Sequence, residues 1–160
     1  MTNESRRWFL GRLTVAAPAA AVVGMAANEA TASGGKAGRR IVAGSPYPTF
    51  SRAVVLNEVA YVSGVVGQKP GTRELVSADF ESQCQQAMEN LKASVEAAGA
   101  SMANVLKCTC FLTDASDFGT FNKVYVTYFP SEPPARSTVI VKALVVEGAK
   151  LEIDCVAAIG

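Results

Sequence analysis

The chain has 160 residues, of which 49% are apolar and 18% are charged, so it has the size of one domain and enough apolar residues to bury a core. The 15 basic and 14 acidic residues leave a formal charge of +1, which gives no electrostatic basis for binding nucleic acid. The sequence contains no histidine, which excludes His-dependent catalytic triads and His-ligated metal sites and leaves acid–base chemistry to carboxylates, Tyr, Lys or Cys.

Residues 1–32 have the composition of an export signal. Arg6 and Arg7 precede an apolar run at residues 13–27, which is shorter than the roughly 20 residues that a membrane span needs. Ala30-Thr31-Ala32 resembles a cleavage site, and the arginine pair resembles the twin-arginine (Tat) signal of bacteria. We therefore predict export of the folded protein to the periplasm or the medium, with cleavage after Ala32 and no stable membrane anchor. An uncleaved amphipathic helix or a disordered tail is the alternative.

Cleavage there leaves 128 residues with equal numbers of acidic and basic side chains. Their composition predicts a flexible arm over residues 33–46 and a folded domain over residues 47–160. Within the domain, β-branched and aromatic residues predict short strands over 53–56 and 59–66.

A helix is predicted from Phe80 to Ala98, because apolar residues recur there with i, i+3/i+4 spacing. Ser77 or Asp79 can cap its start, and Gly99 suits the left-handed residue that follows a helix.

The second half of the domain predicts a strand over about 104–112, a helix over about 116–128, and two closing strands over 137–146 and 150–158. Glu147-Gly148 between the last two strands is typical of a hairpin turn. The order ββαβαββ predicts an α+β domain with two helices on one face of a mixed sheet. The other face is expected to be largely apolar and to pack against other subunits; the side chains assigned to it are Val62, Val139, Val141 and Val156.

The four cysteines are predicted to behave as small buried apolar residues. The alternative is that two of them form one disulfide in an oxidising compartment. Cys108 and Cys110 lie two apart in a predicted strand, so both point to one face and are badly placed to bond each other.

Two side chains suggest chemistry on their own. Arg136 lies at the start of a strand, and a guanidinium can bind a carboxylate through two parallel hydrogen bonds; the alternative is an ion pair within the protein. Glu152 lies among Leu151, Ile153 and Val156, where desolvation would raise its pKa towards that of a useful proton carrier; the alternative is a solvated or ion-paired glutamate.

The C-terminal motifs resemble the Rid family of reactive-intermediate deaminases, which are YjgF-like proteins once described as L-PSP endoribonucleases. The resemblance extends over about residues 47–160. It is carried by Pro134-Ala135-Arg136-Ser137, Leu151-Glu152-Ile153-Asp154 with Ala157, Ser63-Gly64, Val95-Glu96-Ala97-Ala98-Gly99, and Asp117-Phe118 with Asn122.

This resemblance implies a chorismate-mutase-like fold and a homotrimer with a central barrel and sites between subunits. Such enzymes hydrolyse enamines or imines derived from amino acids, giving 2-oxo acids and ammonia without a metal or cofactor. Arg136 would then clamp the substrate carboxylate and Glu152 would position the attacking water.

The resemblance also assigns substrate contacts to the Ser63-Gly64 backbone and to Asn122. Thr138 stands where many members have Cys, and Phe50 stands where many have Tyr. Both positions belong to the predicted substrate-binding set, and the two replacements change the polarity of the pocket.

Hairpin register predicts that Arg136 and Glu152 of one chain cannot share a site. With Glu147-Gly148 as the turn, Arg136 would lie opposite Ile159 and Glu152 opposite Ala143. The two residues would then be roughly 24 Å apart along the ladder, so a shared substrate would require two subunits.

We consider three alternative functions for such a domain, and the sequence supports them to different degrees. The pocket could bind small carboxylates without turnover in the periplasm. Ribonuclease or nucleic-acid binding is disfavoured by the balanced charge and the lack of histidine. A holdase-type chaperone has no specific signal in the sequence.

Overall fold

The computed structural model describes residues 38–160, which form one six-stranded sheet and two α-helices. The predicted export signal and its cleavage site lie outside these residues. Between residues 38 and 160, no helix combines the length and the hydropathy required to cross a bilayer. The strands are β1 (Arg39–Val42), β2 (Ala53–Leu56), β3 (Val59–Val66), β4 (Val105–Leu112), β5 (Ala135–Ile140) and β6 (Leu151–Ala158), and the helices are α1 (Phe80–Ala97) and α2 (Phe118–Tyr128).

Most predicted elements are confirmed with nearly the predicted bounds, because local signals determine their ends. Asn57 turns the chain between β2 and β3 with φ of 54°. Asp79 caps α1, since its Oδ2 accepts a hydrogen bond of 2.9 Å from the Ser82 amide. Gly99 follows α1 with φ of 86°, a conformation that glycine adopts without steric cost.

Residues 39–42 form strand β1, so the prediction of a flexible arm over 33–46 is wrong for these residues. Ile41 pairs with Val54 of β2, and Val42 is buried. Arg40 Nη2 also donates a hydrogen bond of 2.7 Å to the Ala98 carbonyl at the end of α1. The Gly- and Arg-rich composition concealed a strand that depends on partners distant in sequence.

The last strand of the sequence lies in the middle of the sheet. The strand order is β1-β2-β3-β6-β4-β5, with β6 antiparallel to both β3 and β4. β5 pairs in parallel with β4 at the edge of the sheet. The predicted hairpin between the last two strands is therefore wrong, because β4 separates them and β5 already ends at Ile140.

Residues 141–150 cross the end of β4 instead of forming a tight turn between paired strands. The Val141 amide donates to the Leu112 carbonyl at 2.8 Å, and the Thr113 amide donates to the Lys150 carbonyl at 3.1 Å. Both ends of the crossing are thus hydrogen-bonded to the end of β4.

Gln83 of α1 holds this crossing from the core. Its side chain is fully buried; Nε2 donates to the Gly148 carbonyl at 3.0 Å and Oε1 accepts from the Lys150 amide at 2.9 Å. Gly148 does turn the chain, with φ of 77°, as its position in the predicted turn requires. The residue that fixes Gly148 by a hydrogen bond is Gln83, which lies in a helix 65 residues earlier. Rules for short turns consider only neighbouring residues and cannot detect such a partner.

The two faces of the sheet differ in what they contact. On one face, α1 and α2 cover the alternate buried residues of β6, which are Leu151, Ile153, Cys155 and Ala157. Val62 is also buried on this side, so its assignment to the opposite face is wrong. No helix covers the other face, which we call the open face. It is more polar than predicted, because Lys107, Glu152 and Asp154 lie there with Tyr61 and Val139.

The prediction for the cysteines is confirmed. Cys84, Cys108, Cys110 and Cys155 are all buried and all have free thiols. They pack in the core between the sheet and the helices.

Candidate active site

Arg136 lies on the helix-facing side of edge strand β5. Its Cα pairs with that of Cys108 in β4, which places the side chain over α2. Arg136 Nη2 donates a hydrogen bond of 2.9 Å to Asn122 Oδ1, so two residues that the sequence motifs assign to one site are in contact.

An open cleft of about 350 Å³ lies beside this pair. It runs between the C-terminal half of α2 and the loop that leads into β5, and most of its wall is apolar. The lining residues are Asn122, Tyr125, Val126, Phe129, Pro133, Pro134 and Arg136.

Thr138 is close to Arg136 in sequence and register, but its hydroxyl points inward. Its Cα pairs with that of Cys110, and its Oγ1 is buried without a hydrogen-bond partner in the described part of the chain. The Tyr125 hydroxyl is likewise buried without a hydrogen-bond partner in the described residues. A contact between Thr138 and substrate would therefore involve its backbone or methyl group.

Glu152 lies on the open face of the sheet, on central strand β6. Its side chain is half-buried, and burial, with a smaller contribution from the negative charge of Asp154, raises the pKa of its carboxyl group. The predicted desolvation of this glutamate is therefore present within a single subunit. A raised pKa suits a group that must take up and release a proton.

Gly64 provides the space that the Glu152 carboxylate occupies. A Cβ atom built at position 64 would collide with Glu152 Oε1, so a side chain there is incompatible with the observed position of Glu152. The register between β3 and β6 shifts between Val62 and Val65, which makes Ser63-Gly64 an irregularity in the sheet. The motif thus brings backbone close to the carboxylate.

Ser63 connects this irregularity to the segment that contains Phe50. The Ser63 hydroxyl donates a hydrogen bond of 2.7 Å to the Ser51 carbonyl. Phe50 is 46% exposed and stacks on Tyr47 with ring centroids 5.4 Å apart. Phe50, Ser63, Gly64 and Glu152 therefore belong to one region of the subunit.

The predicted site residues fall into two groups, which we call the arginine half-site (Asn122, Arg136, Thr138) and the glutamate half-site (Phe50, Ser63, Gly64, Glu152). Arg136 pairs with Cys108 and Glu152 with Phe111, so both flank β4, about 10 Å apart along that strand. Arg136 faces the helices, whereas Glu152 faces away from them. The predicted register, with Arg136 opposite Ile159 and Glu152 opposite Ala143, is wrong, but the two side chains still do not converge within one subunit.

Sequence reasoning missed the aromatic surroundings of Arg136. The sequence predicts a helix over about 116–128, and the i, i+3, i+7 spacing of Phe118, Phe121 and Tyr125 within it indicates a row of rings on one face. Sequence reasoning also missed the cleft wall, because Phe129, Pro133 and Pro134 meet Arg136 only after β5 joins the sheet.

Within residues 38–160, no three His, Cys, Asp or Glu side chains are grouped as metal ligands would be.

The fold is a two-layer α+β domain that places the predicted site residues on opposite faces of its sheet, and comparison with known proteins identifies the family. Residues 41–159 match the family model described as Endoribonuclease L-PSP. The chain belongs to this family, which is the Rid (YjgF-like) family that its motifs predict.

Individual relatives agree with this assignment. The chain is 44% identical over 110 residues to Protein DfrA of Myxococcus xanthus, covering 68% of this chain and 83% of that protein. It is 37% identical over 126 residues to a 2-iminobutanoate/2-iminopropanoate deaminase of Rattus norvegicus, covering 76% of this chain and 91% of the relative. The crystal structure of RidA from an Antarctic Psychrobacter is similar with a TM-score of 0.68 and 40% identity, covering 74% of this chain and 94% of that one.

Proposed function

We propose that this protein hydrolyses small imines and enamines derived from amino acids to 2-oxo acids and ammonia. The observation that carries the proposal is the position of Arg136. Its guanidinium lies beside an open cleft, and its one hydrogen bond to a described side chain is to the neutral amide of Asn122. The names of similar proteins, among them 2-iminobutanoate/2-iminopropanoate deaminases, support the same chemistry.

Arg136 would hold the carboxylate of the substrate. The single ion pair in residues 38–160 joins Lys69 and Glu74, so no described carboxylate neutralises Arg136. The amide of Asn122 accepts one guanidinium N–H and leaves other donors available for a bidentate interaction. A small anionic substrate is the ligand that suits this arrangement.

Glu152 would position water and transfer its proton. Water adds to the carbon of the C=N bond, and its proton passes through the carboxylate to the nitrogen, which gives a tetrahedral carbinolamine. The hydroxyl proton of this intermediate then moves through the carboxylate to the nitrogen, the C–N bond breaks, and a C=O bond and ammonia result. An enamine first becomes the imine by gaining a proton on carbon and losing one from nitrogen. Because an imine is already electrophilic, one positioned acid–base group, worth about 10²- to 10⁴-fold, is enough to accelerate this reaction.

The complete site would combine the arginine half-site of one subunit with the glutamate half-site of a neighbour. Such a head-to-tail contact closes into a ring with as many sites as chains, and the family resemblance implies a homotrimer with a central barrel. In that ring the open sheet faces, with Tyr61, Val139 and Val156, would pack against one another. Gly64 and Ser63 would contact substrate through their backbone, and Phe50 and Thr138 would line the pocket.

We also propose that the protein acts outside the cytoplasm, in the periplasm or the medium. This rests on Arg6-Arg7, the apolar run and Ala30-Thr31-Ala32 in the sequence.

Ammonia release from freshly generated 2-iminobutanoate or 2-iminopropanoate tests the proposed reaction. The wild-type protein should release ammonia well above the spontaneous rate. Binding of 2-oxobutanoate without any acceleration would instead establish a non-catalytic binder of small carboxylates, and neither binding nor acceleration would refute both functions.

Two variants separate the roles of the charged residues. Arg136→Ala should abolish binding of 2-oxobutanoate, whereas Glu152→Gln should retain binding and lower kcat at least about tenfold. Lys142→Ala, at an exposed lysine just beyond β5, is the matched control and should behave as the wild type. Equal loss of binding in both site variants would make Glu152 a structural residue.

A further inference from the structure

Arg136 lies in a cage of aromatic rings on α2. Its Cζ atom is 4.6 Å from the ring centroid of Tyr125, 5.1 Å from that of Phe121 and 5.8 Å from that of Phe118. All three distances fall within the roughly 6 Å over which a guanidinium is attracted to an aromatic face.

The rings are themselves fixed by mutual packing. The centroids of Phe121 and Tyr125 are 5.4 Å apart, and those of Phe118 and Phe121 are 6.5 Å apart. Tyr125 also packs on Phe129 at 4.7 Å. Phe121 is fully buried and Tyr125 nearly so, which makes these two rings part of the core, whereas Phe118 is 40% exposed and forms the outer edge of the cage.

A cage of this kind affects the charge of Arg136 differently from an ion pair. A carboxylate partner would neutralise the guanidinium and compete with an anionic ligand for its N–H groups. Aromatic faces stabilise the cation without using those N–H groups, and they restrict the plane in which the guanidinium lies. The neutral Asn122 amide then sets its rotation about the remaining axis.

We infer that Phe118, Phe121 and Tyr125 are positioning residues that keep Arg136 partly desolvated, oriented and without a protein counter-ion, so that its charge is available to a substrate carboxylate. This inference rests on the proposed function only in treating Arg136 as the carboxylate anchor. It predicts that removing a ring, or adding a carboxylate to the cage, weakens anion binding while the fold remains intact.

The first test compares Tyr125→Leu with Tyr125→Phe, using 2-oxobutanoate as the titrated anion and imine hydrolysis as a separate assay. Tyr125→Leu removes the π face and should raise Kd and KM about 2- to 30-fold, with a smaller change in kcat. Tyr125→Phe keeps the ring and removes only the hydroxyl, which has no hydrogen-bond partner in the described part of the chain, so it should retain most of the affinity that Tyr125→Leu loses. Phe118→Leu, at a 40% exposed ring, replaces Tyr125→Leu if that variant does not fold.

The second test uses Asn122→Asp, which places a carboxylate beside the guanidinium with almost no change in shape. An internal ion pair should raise Kd for 2-oxobutanoate at least about tenfold while leaving Tm unchanged or higher. A purely structural role for Asn122 predicts a lower Tm and unchanged anion affinity.

A spectroscopic signature reports on the cage without any turnover. Protons above an aromatic face are shielded, so the Arg136 side-chain N–H resonances should lie upfield in the wild type and in Tyr125→Phe, and should move downfield in Tyr125→Leu. Unchanged resonances and unchanged Kd in Tyr125→Leu, or unchanged Kd in Asn122→Asp, would overturn the inference. Absence of imine hydrolysis in the wild type would instead refute the proposed function and leave the Kd and resonance tests valid.

Discussion

The carboxylate of Glu152 lies directly above Gly64, in the space that any side chain at position 64 would need. Because the colliding atom is the far end of a flexible side chain, a methyl group at position 64 should displace the carboxylate without unfolding the sheet. This relationship joins β3 and β6 at the irregularity between Val62 and Val65.

Gly64→Ala should therefore lower kcat at least about tenfold while Tm changes little, since the acid–base group leaves its position. Ammonia release and thermal unfolding measure the two effects. Gly119→Ala is the control, because Gly119 lies in α2 with open space around it and alanine there should be neutral or slightly stabilising. Unchanged kcat in Gly64→Ala would show that the position of the Glu152 carboxylate is not needed for turnover.

The pH dependence of activity should report the raised pKa of Glu152. Proton transfer from water requires the ionised carboxylate, so activity should fall as the pH drops through this pKa, with a midpoint above the ordinary value of 4.5. The kcat/KM profile measures this limb, which should disappear in Glu152→Gln.

Asp154→Asn refines the same prediction. The negative charge of Asp154 contributes to raising the pKa of Glu152, so its removal should move the acid limb to lower pH. A limb that stays in place would assign the whole shift to burial.

Mixing inactive subunits should restore activity if each site uses two chains. In randomly mixed rings of Arg136→Ala and Glu152→Gln subunits, about one site in four would combine an intact arginine with an intact glutamate. Activity near a quarter of the wild-type value, measured after verified subunit exchange, is the expected result. The double variant mixed with Arg136→Ala is the control and should stay inactive; complete inactivity of the first mixture would refute the shared site.

The exported protein should begin at Ser33. Intact-mass analysis of protein from the periplasm or the medium measures this directly, and replacing Arg6 and Arg7 by lysine should abolish export. A full-length chain that remains in the cytoplasm would contradict the prediction.

The four cysteines should be unreactive in the folded protein. Burial raises the pKa of Cys84 and of Cys110 to about 12, so almost no thiolate is present at pH 8. An alkylating reagent should label none of the thiols in the native protein within the time that labels all four after unfolding. Two thiols that resist labelling even after unfolding would reveal a disulfide.

Sequence reasoning succeeded where the signals are local. The cap at Asp79 and the end of α1 at Gly99 each depend on neighbours within a few residues, and both were among the predictions. It failed where partners are distant: β1 requires Arg40 to reach Ala98, and the crossing after β5 requires Gln83.

The site shows the same division. Motifs identified Arg136 and Asn122, which are in contact, and Glu152 with Gly64, which are in contact as well. The motifs could not show that these pairs lie on opposite sides of one sheet, because that depends on the insertion of β6 between β3 and β4.

The central position of β6 also affects how the sheet can fold. The unit β1-β2-β3 and the pair β4-β5 are joined within the sheet only by β6, which follows all the other strands in sequence. The sheet can therefore close only when β6 pairs with β3, about ninety residues earlier in the chain. The entropy of closing such a long loop is lost before the contacts form, so this pairing is expected to be a slow step of folding.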